Sequence, residues 1–268
     1  MTQEDHALAR ELAGEAGRRL LELRALGGEP DVLRKAGDRL SHELLVAELA
    51  RRRPGDVVLS EEGADHPARL TAERVWIVDP LDGTREFGEA GRTDWAVHVA
   101  LWERSAADGG GNLTAGAVAL PGQGYVLATL GPHLITGAPG PVAADAGSGD
   151  EASGQVRIVV SRTRAPQFVQ DISDLIGAKL VPSGSAGAKV AAVVCGEVDA
   201  YIHGGGFYEW DTAAPAAVAW AAGLHASRID GSPLVYNQAD LLMPDILVCR
   251  PALAGSLLQA IREVTNAS

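Results

Sequence analysis

The sequence predicts a mixed α/β protein, α+β in its first half and α/β in its second. Three observations carry that reading. The chain opens with apolar positions at helical spacing. Alternating runs at 95–102, 113–120 and 124–130, joined by Gly-rich turns, then describe an antiparallel meander. Beyond residue 156, short apolar runs alternate with helical ones. With 268 residues, 46% of them hydrophobic, the chain can form one large domain or two smaller ones sharing an interface.

Taken in order, residues 3–26 place Leu8, Leu12, Leu20, Leu23 and Leu26 on a helix ended by Gly27-Gly28. Glu29-Pro30-Asp31 begins a link to a second helix, about 39–53, stopped by Pro54-Gly55; Asp38 stands before it as an N-cap. Val57, Val58 and Leu59 form a short strand running into Ser60-Glu61-Glu62-Gly63. A second apolar strand, 75–78, ends at Asp79, where Pro80 stops it, and the chain turns through Leu81, Asp82 and Gly83 to Thr84. The meander follows. Residues 137–155 are small, polar and Pro/Gly-rich, a mobile connection between a first half, 1–136, and a second, 156–268. The second half reads as strand 156–160, helix 165–176, strand 179–181, helix 186–195, strand 200–203, a helix 212–222 begun by Asp211, strands 224–227 and 246–249, and a helix from Ala252.

The net charge of −12 disfavours binding to nucleic acid or an anionic membrane. Apolar runs are broken well before the roughly 18 residues a membrane span needs. The N-terminus is charged and helical, unlike a signal peptide. Cys195 and Cys249 lie far apart inside apolar runs, which points to a reduced, cytoplasmic protein. A phosphorylated substrate would be repelled by so acidic a surface unless cations reverse the field locally, and carboxylates gathered around divalent metals do that.

Four carboxylates are candidates. Asp79 and Asp82 sit at a strand end, in what is otherwise a Pro-Asp-Gly turn. Glu61 follows the neighbouring strand, and Asp211 precedes a helix rich in small residues, where an N-cap is the plainer role. Oxygen ligands alone suit a hard cation such as Mg²⁺. The seven histidines show no paired spacing and the cysteines no CxxC, so zinc is a poor candidate. Ser183-Gly184-Ser185 is either an ordinary strand-to-helix turn or a loop whose amides hold a phosphate or ribose hydroxyl. Neither a nucleophile elbow nor a P-loop is present.

WIVDPLDGT, the upstream acidic pair and EWDTAA together resemble the inositol-monophosphatase-like family of Mg²⁺-dependent, lithium-sensitive phosphatases, over nearly the whole chain. Arg85-Glu86-Phe87 is most similar to its CysQ-type branch, whose members remove the 3′-phosphate of 3′-phosphoadenosine 5′-phosphate. The resemblance implies a layered αβαβα fold and two or three Mg²⁺ ions. Glu61, Asp79, Asp82, Asp211 and the Leu81 carbonyl would be the metal ligands, with Asp79 bridging two ions about 3.5–4 Å apart. It implies that Thr84 and an Asp, best matched by Asp38, activate the attacking water, with Glu61 beside them. Substrate would meet Asp82, Gly83, Thr84, Arg85, Gly184, Ser185 and Asp211. The family's polar lead-in before its Asp is replaced here by VLRKAGD, and Arg34 or Lys35 there could instead contact a second phosphate.

The resemblance thus implies a phosphomonoesterase acting on a small phosphorylated nucleotide, with a place in sulfate activation. Alternatives are hydrolysis of inositol 1-phosphate or fructose 1,6-bisphosphate on the same scaffold, and, outside catalysis, a metal-binding regulatory module. Pairing into a homodimer is left open. Glycines at 204–206 fill the segment where inositol-specific members place a Glu, Phe207 and Tyr208 offer faces for a purine, and Glu209 is expected to point away from Asp211.

Overall fold

The computed structural model describes residues 3–105, 110–131, 133–134, 154–163 and 165–267. Most of the expected connection at 137–155 lies outside them. Two helices come first, α1 (Gln3–Ala25) and α2 (Pro30–Arg52). A six-stranded sheet follows in simple order: β1 (Val57–Ser60), β2 (Arg74–Asp82), β3 (Ala96–Arg104), β4 (Gly111–Leu120), β5 (Tyr125–Ala128) and β6 (His133–Leu134). β1 and β2 are parallel and every later pair is antiparallel, so the meander is present as expected. A short helix, α3 (Thr84–Gly88), leaves the end of β2.

The second sheet runs β11-β13-β9-β7-β8. Its strands are β7 (Arg157–Ser161), β8 (Lys179–Ser183), β9 (Ala200–His203), β11 (His225–Ser227) and β13 (Ile246–Cys249), with a separate two-stranded ribbon of β10 (Phe207–Tyr208) and β12 (Leu242–Met243). Its helices are α4 (Gln167–Ile176), α5 (Ala186–Val194), α6 (Glu209–Ala221) and α7 (Pro251–Ala267).

Strand alternation distributes the side chains into three cores. Trp76, Val78, Val97 and Val99 on one face of the first sheet pack under α1 and α2. Val75, Ile77, Ala96 and Ala100 on the other face meet α5 and α6, which also cover Val159, Tyr201 and Val248 of the second sheet. Ile158, Ile202 and Leu247 on that sheet's far face pack against α4 and α7. The order helix, sheet, helix, sheet, helix is the αβαβα layering. α6 lies in the middle layer, and its small residues permit close approach: a Cβ on Gly116 of β4 would fall 2.8 Å from that of Ala217. No helix among the described residues is long and apolar enough to cross a membrane. Both cysteines are free thiols.

Three local expectations are corrected. Pro80 does not stop β2, which continues to Asp82 through a register shift after Asp79. β1 ends opposite Val78, so from Asp79 onward β2 has β3 as its neighbour on one side only. At that open edge the missing Pro N–H breaks no ladder bond. α2 begins at Pro30, not near residue 39, because proline suits the first helical position. Asp38 is therefore inside the helix and is not its cap. Gly37 is tolerated there because the helix presses on α3: a Cβ would fall 2.8 Å from the Phe87 ring. Likewise α6 starts at Glu209, and Asp211 occupies its first turn instead of preceding it.

Candidate metal and catalytic site

The end of β2 delivers two buried carboxylates, Asp79 at 1% and Asp82 at 8% exposure. Asp79 Oδ1 accepts the Leu81 N–H at 3.0 Å, while its buried Oδ2 has no hydrogen-bond partner among the described residues. Asp82 Oδ2 accepts the Gly187 N–H at 2.7 Å, from the positive end of α5. Gly83 then turns the chain with φ +82°, and a side chain there would also meet Ser185. Beyond the turn, the Thr84 Oγ1 lies 3.0 Å from the Leu81 carbonyl and 3.2 Å from Asp38 Oδ1. A hydroxyl has one hydrogen, so it donates to one acceptor at a time. Asp38 thus reaches Thr84 from the interior of α2, eight residues past the helix start. Burial and the Glu62 charge push it up to about 6, against the hydrogen bond from Thr84.

Two further carboxylates come from other elements. The Glu61 N–H extends the β1 ladder to the Val78 carbonyl at 3.3 Å, which sets Glu61 beside Asp79. Asp211 Oδ2 accepts the Tyr208 N–H at 2.7 Å. Glu61 is exposed as a residue; desolvation of its carboxyl, then the Asp211 charge, push it up to about 7. Burial and the Asp82 charge raise Asp211 to about 7. Asp79 is raised well above the usual range, by burial first and then by Glu61 and Asp82. Asp82 is the exception. Burial would raise it, but the His98 ring, the Lys189 ammonium and the Gly187 N–H together outweigh burial and hold it low. Carboxylates that repel one another around an orphaned buried oxygen fit a hard cation.

A cleft of about 230 Å³ opens beside this cluster. Arg85, Arg162 and Lys189 bring positive charge to it, and Phe207 an aromatic wall. Arg162 is held by Glu86 at 2.7 Å and Glu89 at 3.0 Å. Arg85 is 61% exposed and touches only Glu89 among the described ion pairs, at 3.3 Å. Lys189 is buried and donates to the Gly184 carbonyl. The Phe207 ring lies 4.2 Å from that of His203, and Tyr208 stacks on Trp210 at 4.8 Å.

The structure brings Asp38, Glu61, Asp79, Leu81, Asp82, Gly83, Thr84 and Asp211 together at one place. Gly184 and Ser185 line the cleft, yet their amides are already used: Gly184 donates to Asp94 Oδ2 at 2.6 Å and Ser185 to the Asp94 carbonyl at 3.1 Å. The Ser185 hydroxyl caps α5 by accepting the Ala188 N–H. The turn reading of 183–185 is the one the hydrogen bonds describe. Arg34 and Lys35 do not line the cleft. Arg34 pairs with Asp31 at 2.9 Å and packs over Gly88, and Lys35 is exposed. Glu209 faces away from Asp211 as expected, accepting the Asn237 and Gln238 N–H groups at 2.6 and 2.7 Å.

His98, Arg162 and Lys189 were not among the expected site residues. A lone histidine in the apolar run WAVHVALW was the available signal for the first, and helical or loop positions carried none for the others.

The model of the inositol monophosphatase family matches residues 2–266. A Mycobacterium leprae protein named 3′-phosphoadenosine 5′-phosphate phosphatase is 51% identical, over 97% of this chain and 94% of that one. One of the same name from Mycobacterium tuberculosis is 50% identical over 93% and 90%. The crystal structure of CysQ from Bacteroides thetaiotaomicron, described as a bacterial member of the family, superposes with a TM-score of 0.74 at 28% identity, covering 92% of this chain and 97% of that one.

Proposed function

The chain belongs to the inositol monophosphatase family, and from that premise we propose that it hydrolyses the 3′-phosphate of 3′-phosphoadenosine 5′-phosphate to give AMP and inorganic phosphate. The observation that carries this reading is the 51% identity, over nearly all of both chains, to a relative with that name. The cleft supports it, with two arginines and an aromatic wall beside the carboxylate cluster. The enzyme would work on the by-product of sulfotransfer, in the cytoplasm. Inositol 1-phosphate and fructose 1,6-bisphosphate remain the alternative substrates on this scaffold.

Glu61, Asp79, Asp82, Asp211 and the Leu81 carbonyl would hold Mg²⁺, two or three ions. Bound there, Mg²⁺ supplies positive charge to the phosphoryl oxygens and to the departing 3′ oxygen. The remaining roles fall to the chain itself. Water attacks phosphorus as the P–O3′ bond breaks, and the departing 3′ oxygen takes a proton from solvent to become the hydroxyl of AMP. Thr84 orients that water and Asp38, raised toward neutrality, accepts its proton through the threonine hydroxyl. Glu61 stands next to the same path. Arg85 is loosely held and free to swing to the 5′-phosphate, since an exposed ion pair such as Arg85–Glu89 contributes only about 0–1 kcal/mol. Phe207 offers a face for adenine.

Phosphate release from the three candidate substrates, with and without Mg²⁺, tests the proposal. The expected result is strict metal dependence and a kcat/KM for the adenosine bisphosphate at least about tenfold above the others, ~1.4 kcal/mol in transition-state binding. Equal turnover of inositol 1-phosphate overturns the substrate and leaves the metal chemistry. No release from any substrate would favour the regulatory module.

A further inference from the structure

We propose that His98 is a positioning residue of the metal site, tying Asp82 to the helix that carries Asp211 and so setting the spacing of two ligands delivered by distant parts of the chain. The inference rests on the reading of Asp79, Asp82 and Asp211 as cation ligands.

His98 is fully buried near the start of β3, directly opposite Asp79 in the β2 ladder. Its neighbours on the same face of the strand are Ala96 and Ala100, small enough to leave the ring room beneath α5 and α6. The Nδ1 lies 3.1 Å from the Trp210 carbonyl. A carbonyl only accepts, so Nδ1 carries a hydrogen and donates it. On the other side of the ring, Nε2 lies 3.2 Å from Asp82 Oδ2, off the line of a good hydrogen bond. That same Oδ2 takes the Gly187 N–H, so both protein contacts fall on one oxygen of Asp82. Nδ1 is also 3.9 Å from Asp79 Oδ2, the orphaned oxygen. One ring therefore touches two ligands and the residue immediately before the third.

Direct ligation by His98 fits less well, although its ring nitrogens come within 4.8 Å of the Asp79 and Asp82 oxygens. Nδ1 is committed to the carbonyl, and Nε2 faces the backbone of α5: a Cβ on Gly187 would fall 2.2 Å from it. The ring braces the ligands and leaves the cation to oxygen. Gly187 has no side chain because the ring occupies that space.

The test uses the full chain stripped of metal, with Mn²⁺ as the probe, its free concentration followed by electron paramagnetic resonance. Native protein is compared with His98→Leu, which removes both contacts, and His98→Gln, which can keep one. His98→Leu is expected to weaken Mn²⁺ binding at least about tenfold, with His98→Gln recovering part of the loss. The Mg²⁺ needed for half-maximal phosphate release should rise in parallel, while kcat at saturating Mg²⁺ falls by a smaller factor. A purely structural histidine would lower the melting temperature and leave both metal affinities in place. Binding within twofold of native in both variants, or tighter than native, overturns the proposal. Asp82→Asn is measured alongside. If it binds Mn²⁺ normally, the ligand reading has failed; if it loses Mn²⁺ while His98→Leu keeps it, this inference alone has failed. Should His98→Leu not fold, His98→Gln and Gly187→Ala, whose methyl would displace the ring, carry the comparison, and normal Mn²⁺ binding in both overturns it.

Discussion

The two walls of the site are built differently. On the metal side, Asp79 and Asp82 are buried at the end of a sheet strand, and Asp79 Oδ1 and Asp82 Oδ2 are each held by a backbone N–H. On the substrate side, Arg85 is 61% exposed with Glu89 as its one salt-bridge partner among the described residues. The first wall has its geometry set before anything binds, which is what phosphoryl transfer asks of a catalyst. The second can rearrange around what arrives. Changes to the first wall should therefore act on kcat and changes to the second on selectivity.

The sharpest way to break that contrast is Asp79→Asn or Asp82→Asn. Either should abolish turnover while far-ultraviolet circular dichroism stays native, and the metal-free variant should melt higher than the parent because repulsion has been relieved. Near-native activity in Asp82→Asn would remove the metal wall from the picture altogether. Next in size is Thr84→Ala, expected to lower kcat about 10²–10⁴-fold with much less effect on KM. Asp38→Asn should do the same; a loss under about fivefold would reduce Asp38 to a helix residue that merely touches Thr84. On the opposite wall, Arg85→Ala should erode the preference for the adenosine bisphosphate by about tenfold while inositol 1-phosphate hydrolysis changes little, as competing-substrate kinetics would reveal.

The smallest effect concerns pH. Asp38, Glu61 and Asp211 have folded-state values raised to about 6, 7 and 7, against about 4 in an unfolded chain. A raised carboxyl contributes stability that is complete below the unfolded value and lost as pH rises through the folded one. The metal-free protein should thus melt a few degrees lower at about pH 8 than at about pH 5, and Mg²⁺ should remove most of that slope. Glu209, raised to about 7 by burial despite its two backbone donors, should leave a residue of slope that Mg²⁺ does not abolish. A melting curve independent of pH without metal would mean that the carboxylates do not repel as described.

How much of this was legible depended on distance along the chain. Asp79, Asp82 and Thr84 could be read because strand, proline and turn lie within a few residues of one another. That Pro80 would sit inside a strand could not, since its tolerance depends on β1 ending two residues earlier on the neighbouring side. Asp38 reads as a cap because the helix is expected to begin near residue 39; the contacts of Gly37 with Phe87 and Leu81, which explain a glycine in mid-helix, lie far along the chain. His98 was the least legible. Its partners are 16 and 112 positions away, and nothing in WAVHVALW says which layer will cover that face.

With Asp211 as a proposed cation ligand, the placement of α6 between the two sheets bears on how the protein would lose and regain that cation. Asp211 rides on a helix packed on both sides, with Ala213, Ala214, Ala216 and Ala219 at zero exposure. Such a helix has no inexpensive way to open alone, and its amides should exchange with solvent only when the whole domain unfolds. On that reading, removing the metal would not melt the support of Asp211. On the proposed reading, the metal-free chain would keep its ligands in place, and activity would follow the free cation concentration with no refolding step in either direction.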